Sequence, residues 1–396
     1  MVFLLVAWAA LGVSSALLAP RRVARPLAVR SATDLKPYLS TLIGGTDLSS
    51  SEARELFGAF FDGGAAPEQI AAVLCLLRQK GETCDEIAGA ATAMLDNCVR
   101  VHVSDREKGL LDIVGTGGDG ASTINLSTAS AIVAAAAGAR VTKCGNRSVS
   151  SKCGAADVLE VRLVCDDAFE EHTIQALGLD LELPLASVAQ CIEACGLGFL
   201  YAPQNHPAMK NVAPVRKALG VRTAFNLLGP LTNAAGANRV VIGVFDEALV
   251  ELLAGALAKI GAVDHAVVVH GVGLDEISPL GPCTVVELKR KADGEYEKSS
   301  WILEPLDYGI PRCSLEDLKG GDADYNALAL RECLAAAPDS DARRDAIALN
   351  AAMGLYVYGA APTLAESLEL ARGVLRSGAA LAKLDEWIAM TKALKA

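Results

Sequence analysis

The spacing of apolar residues changes character once along the chain. From Asp34 to about Arg100 it follows one face of a helix. "SSSEARELFGAFF" offers a serine N-cap with Glu52 and Glu55 in the turns behind it. "APEQIAAVLCLLRQKG" opens on proline and closes on lysine then glycine, and "TCDEIAGAATAMLDNC" repeats the theme. These runs predict a small all-helical unit. At "LLDIVGTGGDG" the period breaks: Leu110 to Val114 is a short run that stops at glycines, as a buried strand does. "TASAIVAAAAGA" then reads as a helix and "RVTKCGN" as a strand entering a loop. "NRVVIGVF" and "HAVVVHG" are unbroken apolar runs separated by the helix "EALVELLAGALAKIG". Strands apolar on both faces, alternating with helices, predict an α/β domain with a mostly parallel central sheet. "CTVVELKRKADGEYEKSSWILEP" alternates around an Asp-Gly turn and reads as a hairpin or edge strands. The last stretch, through "LNAAMGLYV" to Met390, returns to helices. The expected division is a presequence over 1–32, a helical domain over 33–102 joined by helices from about 205–225, and an α/β domain over 103–396.

Composition narrows the function. The 396 residues carry a net charge of −11, yet the first 33 hold four arginines and no acid. Taking those four from the 36 basic residues leaves 32 against 47 acidic, or −15 for the body. So acidic a body argues against a nucleic-acid-holding protein, while leaving room for a local basic pocket. The eleven cysteines contain no C-x-x-C pair and predict neither a zinc site nor a disulfide framework. Cys191 and Cys195, four apart on a helix-like run, would meet on one face.

The leader reads as two signals in series. Val2 to Leu18 is an apolar stretch ending in small residues, like the core of a signal peptide. An arginine-rich, acid-free segment follows to about Ala32 and is similar to a transit peptide. The series resembles the bipartite presequences of complex algal plastids, with "SSALLAP" at the junction. Plain secretion and a membrane anchor are the alternatives; the scattered cysteines count against secretion. No run in the body is long and apolar enough to predict a membrane span.

Four segments carry candidate chemistry. "DIVGTGGDGASTINLST" places glycines between a strand and a helix, an arrangement in which backbone amides and a helix N-terminus face an anion. Three glycines alone are a weak signal; Asp119, Thr123, Asn125, Ser127 and Thr128 behind them exceed what a helix cap needs. "TKCGNRSVSSKCGAAD" supplies the charge of Lys143 and the donors of Asn146, Ser148, Ser150 and Ser151, either as a second phosphate cradle or as a solvated loop. Asp275 and Glu276 sit side by side after an apolar strand, as solvated loop acids or as oxygen ligands suited to Mg2+. The segment Asn205 to Asn233 is basic within an acidic chain, suiting both a hinge and a carboxylate partner such as Arg216.

Taken in order, "GTGGDG", "K-x-GNRSVSS", "HPAMK…PVR…FNLLGPLTN" and "GLDEIS" resemble the anthranilate phosphoribosyltransferase family, over about Leu35 to Leu394. The resemblance implies a helical domain hinged to an α/β domain, a fold related to pyrimidine nucleoside phosphorylases, and a homodimer formed through the helical part. It implies 5-phosphoribosyl 1-diphosphate and anthranilate as substrates, with Mg2+, two ions, as cofactor, and neither nucleic acid nor a membrane as a partner of the mature chain. Gly115, Gly118 and Asp119 would hold the diphosphate, with Thr123, Asn125, Leu126 and Thr128 around it. Ser127 would ligate one ion; Asp275 and Glu276 would ligate the other. Lys143, Gly145, Asn146 and Arg147 would bind the ribose and its phosphates, followed by Ser148, Ser150 and Ser151. Anthranilate would meet Gly115, Asn146, Arg216 through its carboxylate, Pro230 and Cys144. Catalysis would be electrostatic, with no histidine as acid or base. Cys144 departs from the family's histidine and predicts weaker or altered acceptor binding; Ala234 stands where proline is usual. The rivals are a nucleoside phosphorylase, whose lysine loop would read more like K-x-x-GRG, a nucleic-acid-binding relative, and a chain that Cys144 has left without activity.

Overall fold

The computed structural model describes residues 34–148, 152–160, 177–338 and 340–395. The leader and its cleavage site, Ser150 and Ser151 lie outside the described residues. Four helices, Lys36–Ile43, Ser50–Phe61, Pro67–Lys80 and Cys84–Asp96, form the first unit. Their starts obey local chemistry. The hydroxyl of Ser49 accepts the N–H of Glu52, and the Glu52 carboxylate accepts the N–H of Ser49. Thr83 and Glu86 repeat that box. Glu86 is buried and also takes the N–H of Leu48 and an ion pair from Lys80, stitching three segments together. The later helices Ala213–Leu219 and Phe225–Leu228 return to this bundle. There Phe225 packs against Phe57 and Phe61, and Asn211 donates to the carbonyl of Phe61.

The second unit is a seven-stranded sheet. Its strands are β1 (Leu111–Gly115), β2 (Val141–Gly145), β3 (Leu197–Tyr201), β4 (Arg239–Gly243), β5 (His265–His270), β6 (Cys283–Arg290) and β7 (Tyr296–Leu303), in the order β3-β2-β1-β4-β5-β6-β7. The first five in that order run parallel; β6 and β7 form the antiparallel hairpin. The sequence pattern assigns no strand at β3. "LGFLY" has no β-branched residue and follows directly on the helix Leu185–Cys195, so only pairing with β2 makes it a strand. On that helix Cys195 bonds the carbonyl of Cys191, and both are buried free thiols. The helix Ala342–Tyr358 packs over β1 and β4. Among the described residues no helix is long and apolar enough to cross a membrane.

Strand order positions the site. The chain runs β1, β2, β3 to one edge, then returns across β1 to lay down β4 and β5 on the other side. At such a reversal the loops leaving the strand C-termini diverge and open a crevice. All four candidate segments leave the C-terminal ends of β1, β2, β3 and β5, so parallel pairing alone brings them to one end of the sheet.

Candidate active site

β1 and β4 end side by side on Gly115 and Gly243, and the loop after β5 folds directly over both. A Cβ on either glycine would collide with Asp275, with its carboxylate from Gly115 and with its backbone from Gly243. The backbone therefore approaches as closely as it does only because both residues are glycine. The turn after β1 uses positive φ at Gly117, Gly118 and Gly120. The N–H of Gly117 bonds Asp275 Oδ2 at 2.6 Å. The helix Leu126–Ala136 starts beside it, and the N–H of Ser127 in its first turn bonds Glu276 Oε1 at 3.1 Å. The two supposed ion sites, Ser127 and the acidic pair, are thus neighbours.

Asn350 holds the acidic pair in place. This asparagine is buried in the helix Ala342–Tyr358. Its side chain accepts the N–H of Ile277 at 3.0 Å and donates to the carbonyl of Ile277 at 2.6 Å. Ile277 follows Glu276 immediately, so both backbone groups next to the carboxylates are fixed. "LNAAMGLYV" reads as a plain buried helix; the signal available in sequence is an asparagine amid alanines on an otherwise apolar face.

The carboxylates are crowded. Burial, then the charge of Asp119, pushes Asp275 above the usual carboxylate range. Burial, then Asp275, pushes Glu276 up as well, with Lys143 pulling the other way. Acids raised by burial and by one another are relieved by a cation. Hard oxygen donors of this kind fit Mg2+, which retains water and takes substrate phosphate oxygens rather than a full protein cage.

A cavity of about 380 Å³ lies over these loops. Gly115, Gly118, Asp119, Thr123, Leu126 and Ser127 line one end, with Asn125 bridging its floor. The Asn125 amide donates to the carbonyl of Cys153 and accepts from Asn326 of the "GGDADYNA" segment, so it braces two loops as well as facing the cavity. Thr128 is the exception. One residue further into the helix, it is buried at 1% exposure and is not on the wall. Lys143, Cys144, Gly145 and Asn146 line the side next to β2, with Arg147 and Ser148 beyond.

Below Lys143 lies a buried acid that the apolar reading of β1 passes over. Asp112 is fully buried; it accepts the N–H of Cys144 at 3.2 Å and the side-chain amide of Asn233 at 2.8 Å. Its carboxylate is the counter-charge to Lys143, itself 2% exposed. The Cys144 thiol hydrogen-bonds the same Asp112, and burial followed by that carboxylate pushes it well above its usual value. Cys144 is therefore a protonated thiol at neutral pH, a small neutral wall and no nucleophile.

The other end of the cavity has a different character. Arg216 is half-buried, with its guanidinium carbon 5.3 Å from the centre of the Phe225 ring. Burial pushes its pKa down, and no acid among the described residues pairs with it. Next to it, His206 Nε2 lies 3.1 Å from the carbonyl of Thr232, which makes that nitrogen the donor. His206 Nδ1 and Asn205 Oδ1 are left buried with no partner. Burial lowers His206 to about 4, so it is neutral. A half-buried lone cation, an aromatic face and Pro230 describe a slot for an aromatic ring bearing an anion. Asn205 and His206 lie in the basic candidate segment Asn205–Asn233, but the sequence assigns a role to neither.

Comparison with known proteins agrees with this geometry. The glycosyl transferase family α/β domain matches residues 107–381, and the glycosyl transferase family helical bundle domain matches 36–98. Anthranilate phosphoribosyltransferase of Rubrobacter xylanophilus is 44% identical over 361 residues, 91% of this chain and 98% of that protein. That of Laribacter hongkongensis is 45% identical over 359 residues, 90% and 98% of the two chains. The chain belongs to the anthranilate phosphoribosyltransferase family. Among solved members, the Thermus thermophilus enzyme superimposes with a TM-score of 0.79 at 43% identity, covering 89% of this chain and 99% of that one. The Saccharomyces cerevisiae enzyme in complex with PRPP and Mg superimposes with a TM-score of 0.79 at 27% identity, covering 92% and 100%. The family's helical domain beside an α/β domain is the architecture found here.

Proposed function

We infer that the chain transfers the 5-phosphoribosyl group from 5-phosphoribosyl 1-diphosphate to anthranilate, releasing diphosphate. One observation carries this reading: a single cavity has an anion cradle at one end and an uncompensated arginine over an aromatic ring at the other. The yeast relative has been solved in complex with PRPP and Mg and in complex with 4-fluoroanthranilate.

The residues divide the work. The N–H of Gly118, beyond the amides of Thr116 and Gly117 that Gly243 and Asp275 already hold, and the charge of Lys143 would face the phosphates. Arg216 orients the acceptor by its carboxylate, and Pro230 limits where the ring lies. The amine lone pair forms the new bond to C1 of the ribose while the C1–oxygen bond breaks and its electron pair leaves on diphosphate. The nitrogen then sheds its proton. A neutral aromatic amine is nucleophilic without a strong base, so the step needs no histidine. Mg2+, when bound, neutralises charge on the leaving diphosphate; Asp275 and Glu276 would hold one ion, and Ser127 would hold a second.

Protein lacking residues 1–32 should consume anthranilate fluorescence only when given 5-phosphoribosyl 1-diphosphate and Mg2+. Absence of turnover, with binding of the diphosphate compound intact by calorimetry, would move the acceptor assignment to another aromatic amine. Two further readings rest on sequence alone. The arginine-rich leader supports delivery to a complex plastid, which a fluorescent fusion of residues 1–32 in an alga tests. The family resemblance supports a homodimer, which light scattering tests.

A further inference from the structure

Arg147 follows the Lys143–Asn146 stretch directly, and the resemblance places it among the donor-binding residues. Its guanidinium is occupied elsewhere. Nη2 and Nη1 bond the two carboxylate oxygens of Glu160 at 2.5 and 2.6 Å. Nη1 also reaches Asp157 Oδ1 at 3.4 Å, and Nε donates to the Tyr201 hydroxyl at 3.1 Å. Phosphate recognition by arginine relies on two parallel N–H groups. The edge made by Nη1 and Nη2 is closed by Glu160, and the edge containing Nε is closed by Tyr201.

What the fork does hold is the turn after β2. The N–H groups of Ser148 and Gly154, on either side of the turn, both end on Asp157 Oδ2 at 2.9 Å. The N–H of Ala156 bonds the carbonyl of Asn146 at 3.1 Å. Glu160 caps the short helix Ala155–Leu159, and Tyr201 ends β3 opposite Gly145. Gly145 itself lies against Phe199, whose ring stacks on Tyr201 with centroids 6.4 Å apart. Arg147 therefore ties three separate pieces of chain together where β2 hands Lys143 and Asn146 to the cavity.

We propose that Arg147, Glu160 and Tyr201 form a positioning clasp for the phosphoribosyl donor: they touch no substrate, and they fix the turn from which Lys143, Asn146 and Ser148 reach it. The proposal rests on the phosphoribosyl-transfer reading of the cavity. It departs from the expectation that Arg147 is itself a phosphate ligand, and the two roles differ in sign. Were Arg147 a ligand restrained by Glu160, Glu160→Gln would release its charge and tighten donor binding. As a clasp, the same change loosens the turn and weakens it.

The test measures kcat and KM for both substrates, donor affinity by calorimetry with Mg2+, and thermal melting. The proteins are wild type, Glu160→Gln, Tyr201→Phe, Arg147→Lys and Arg147→Ala combined with Glu160→Gln. Glu160→Gln should raise KM and Kd for 5-phosphoribosyl 1-diphosphate about 5- to 30-fold, with KM for anthranilate within about 2-fold of wild type. Tyr201→Phe, which loses one hydroxyl, should raise the donor KM about 3-fold. Arg147→Lys keeps the charge but not the fork, so it should be as impaired as Glu160→Gln. The double variant should be no worse than about 2-fold below either single change, because the residues act as a unit. An unchanged or lower donor KM in Glu160→Gln, or a wild-type donor KM in Arg147→Lys, would overturn the clasp. If wild type itself shows no turnover, the functional reading fails, while the calorimetric affinities still decide the clasp. If the double variant does not fold, the near-isosteric Glu160→Gln and Tyr201→Phe decide it.

Discussion

Replacing Asn350 with alanine would leave the N–H and the carbonyl of Ile277 inside the protein with no partner. Both bonds are short, 3.0 and 2.6 Å, and Asn350 is 1% exposed, so water does not substitute readily. An orphaned buried polar group costs about 1–3 kcal/mol, and two would cost about 2–6 kcal/mol. Relaxation of the loop should bring the loss to about 2–4 kcal/mol, at the expense of order next to Glu276. The apparent Mg2+ requirement should then rise about 10- to 100-fold, as it does when groups that orient metal ligands are removed. Urea denaturation followed by circular dichroism reads the first quantity, and a Mg2+ titration of initial rate reads the second. Asn350→Asp should be worse than alanine for Mg2+-free stability, because it sets another carboxylate near Asp275 and Glu276 and an oxygen against the Ile277 carbonyl. A stability loss under about 1 kcal/mol together with an unchanged Mg2+ requirement in Asn350→Ala would refute the reasoning, since Asn350 would not be what holds the acidic loop.

Three other outcomes are expected. His206 titrates at about 4 in the folded chain and near its ordinary 6.5 when unfolded, so the unfolded chain binds the extra proton between those values. Stability should therefore fall by up to about 3 kcal/mol as pH drops from 6.5 to 4, and His206→Gln should flatten that slope; an identical slope would show that His206 is not buried neutral. Cys144→His should lower KM for anthranilate by restoring a ring and a donor at the wall, and an unchanged or higher KM would sink that idea. Arg216→Gln keeps hydrogen-bonding capacity but removes the lone cation, and should raise KM for anthranilate at least about 10-fold while leaving the donor KM within about 2-fold; a donor effect of equal size would place Arg216 at the wrong end of the cavity.

Local pattern determined a good deal here. The helical starts at Ser49 and Thr83 are capping boxes readable from residues three apart, because the orphan N–H groups of a first turn lie within reach of those side chains. The apolar runs of β4 and β5, and of β1 apart from Asp112, announce a sheet covered on both faces. The Asp275–Glu276 pair and the glycine turn are likewise visible as residues that a loop alone does not need. What tertiary structure decided depends on contacts between distant segments. β3 is fixed by the hydrogen bonds β2 offers it; Phe199 and Tyr201 suit a strand, but a glycine and a start directly behind a helix hide it from the pattern. Asp112 is tolerated inside a strand because Lys143, the N–H of Cys144 and Asn233 arrive to meet it. Asn350 matters through the two backbone groups of Ile277 that it holds, and His206 through its burial against the Thr232 carbonyl, which no periodicity encodes. Thr128 looks like its neighbours Ser127 and Asn125 in sequence, yet the helical turn rotates it into the core. Residue type states what a side chain is able to do; direction and partner, set by packing across the sheet, state which of them do it.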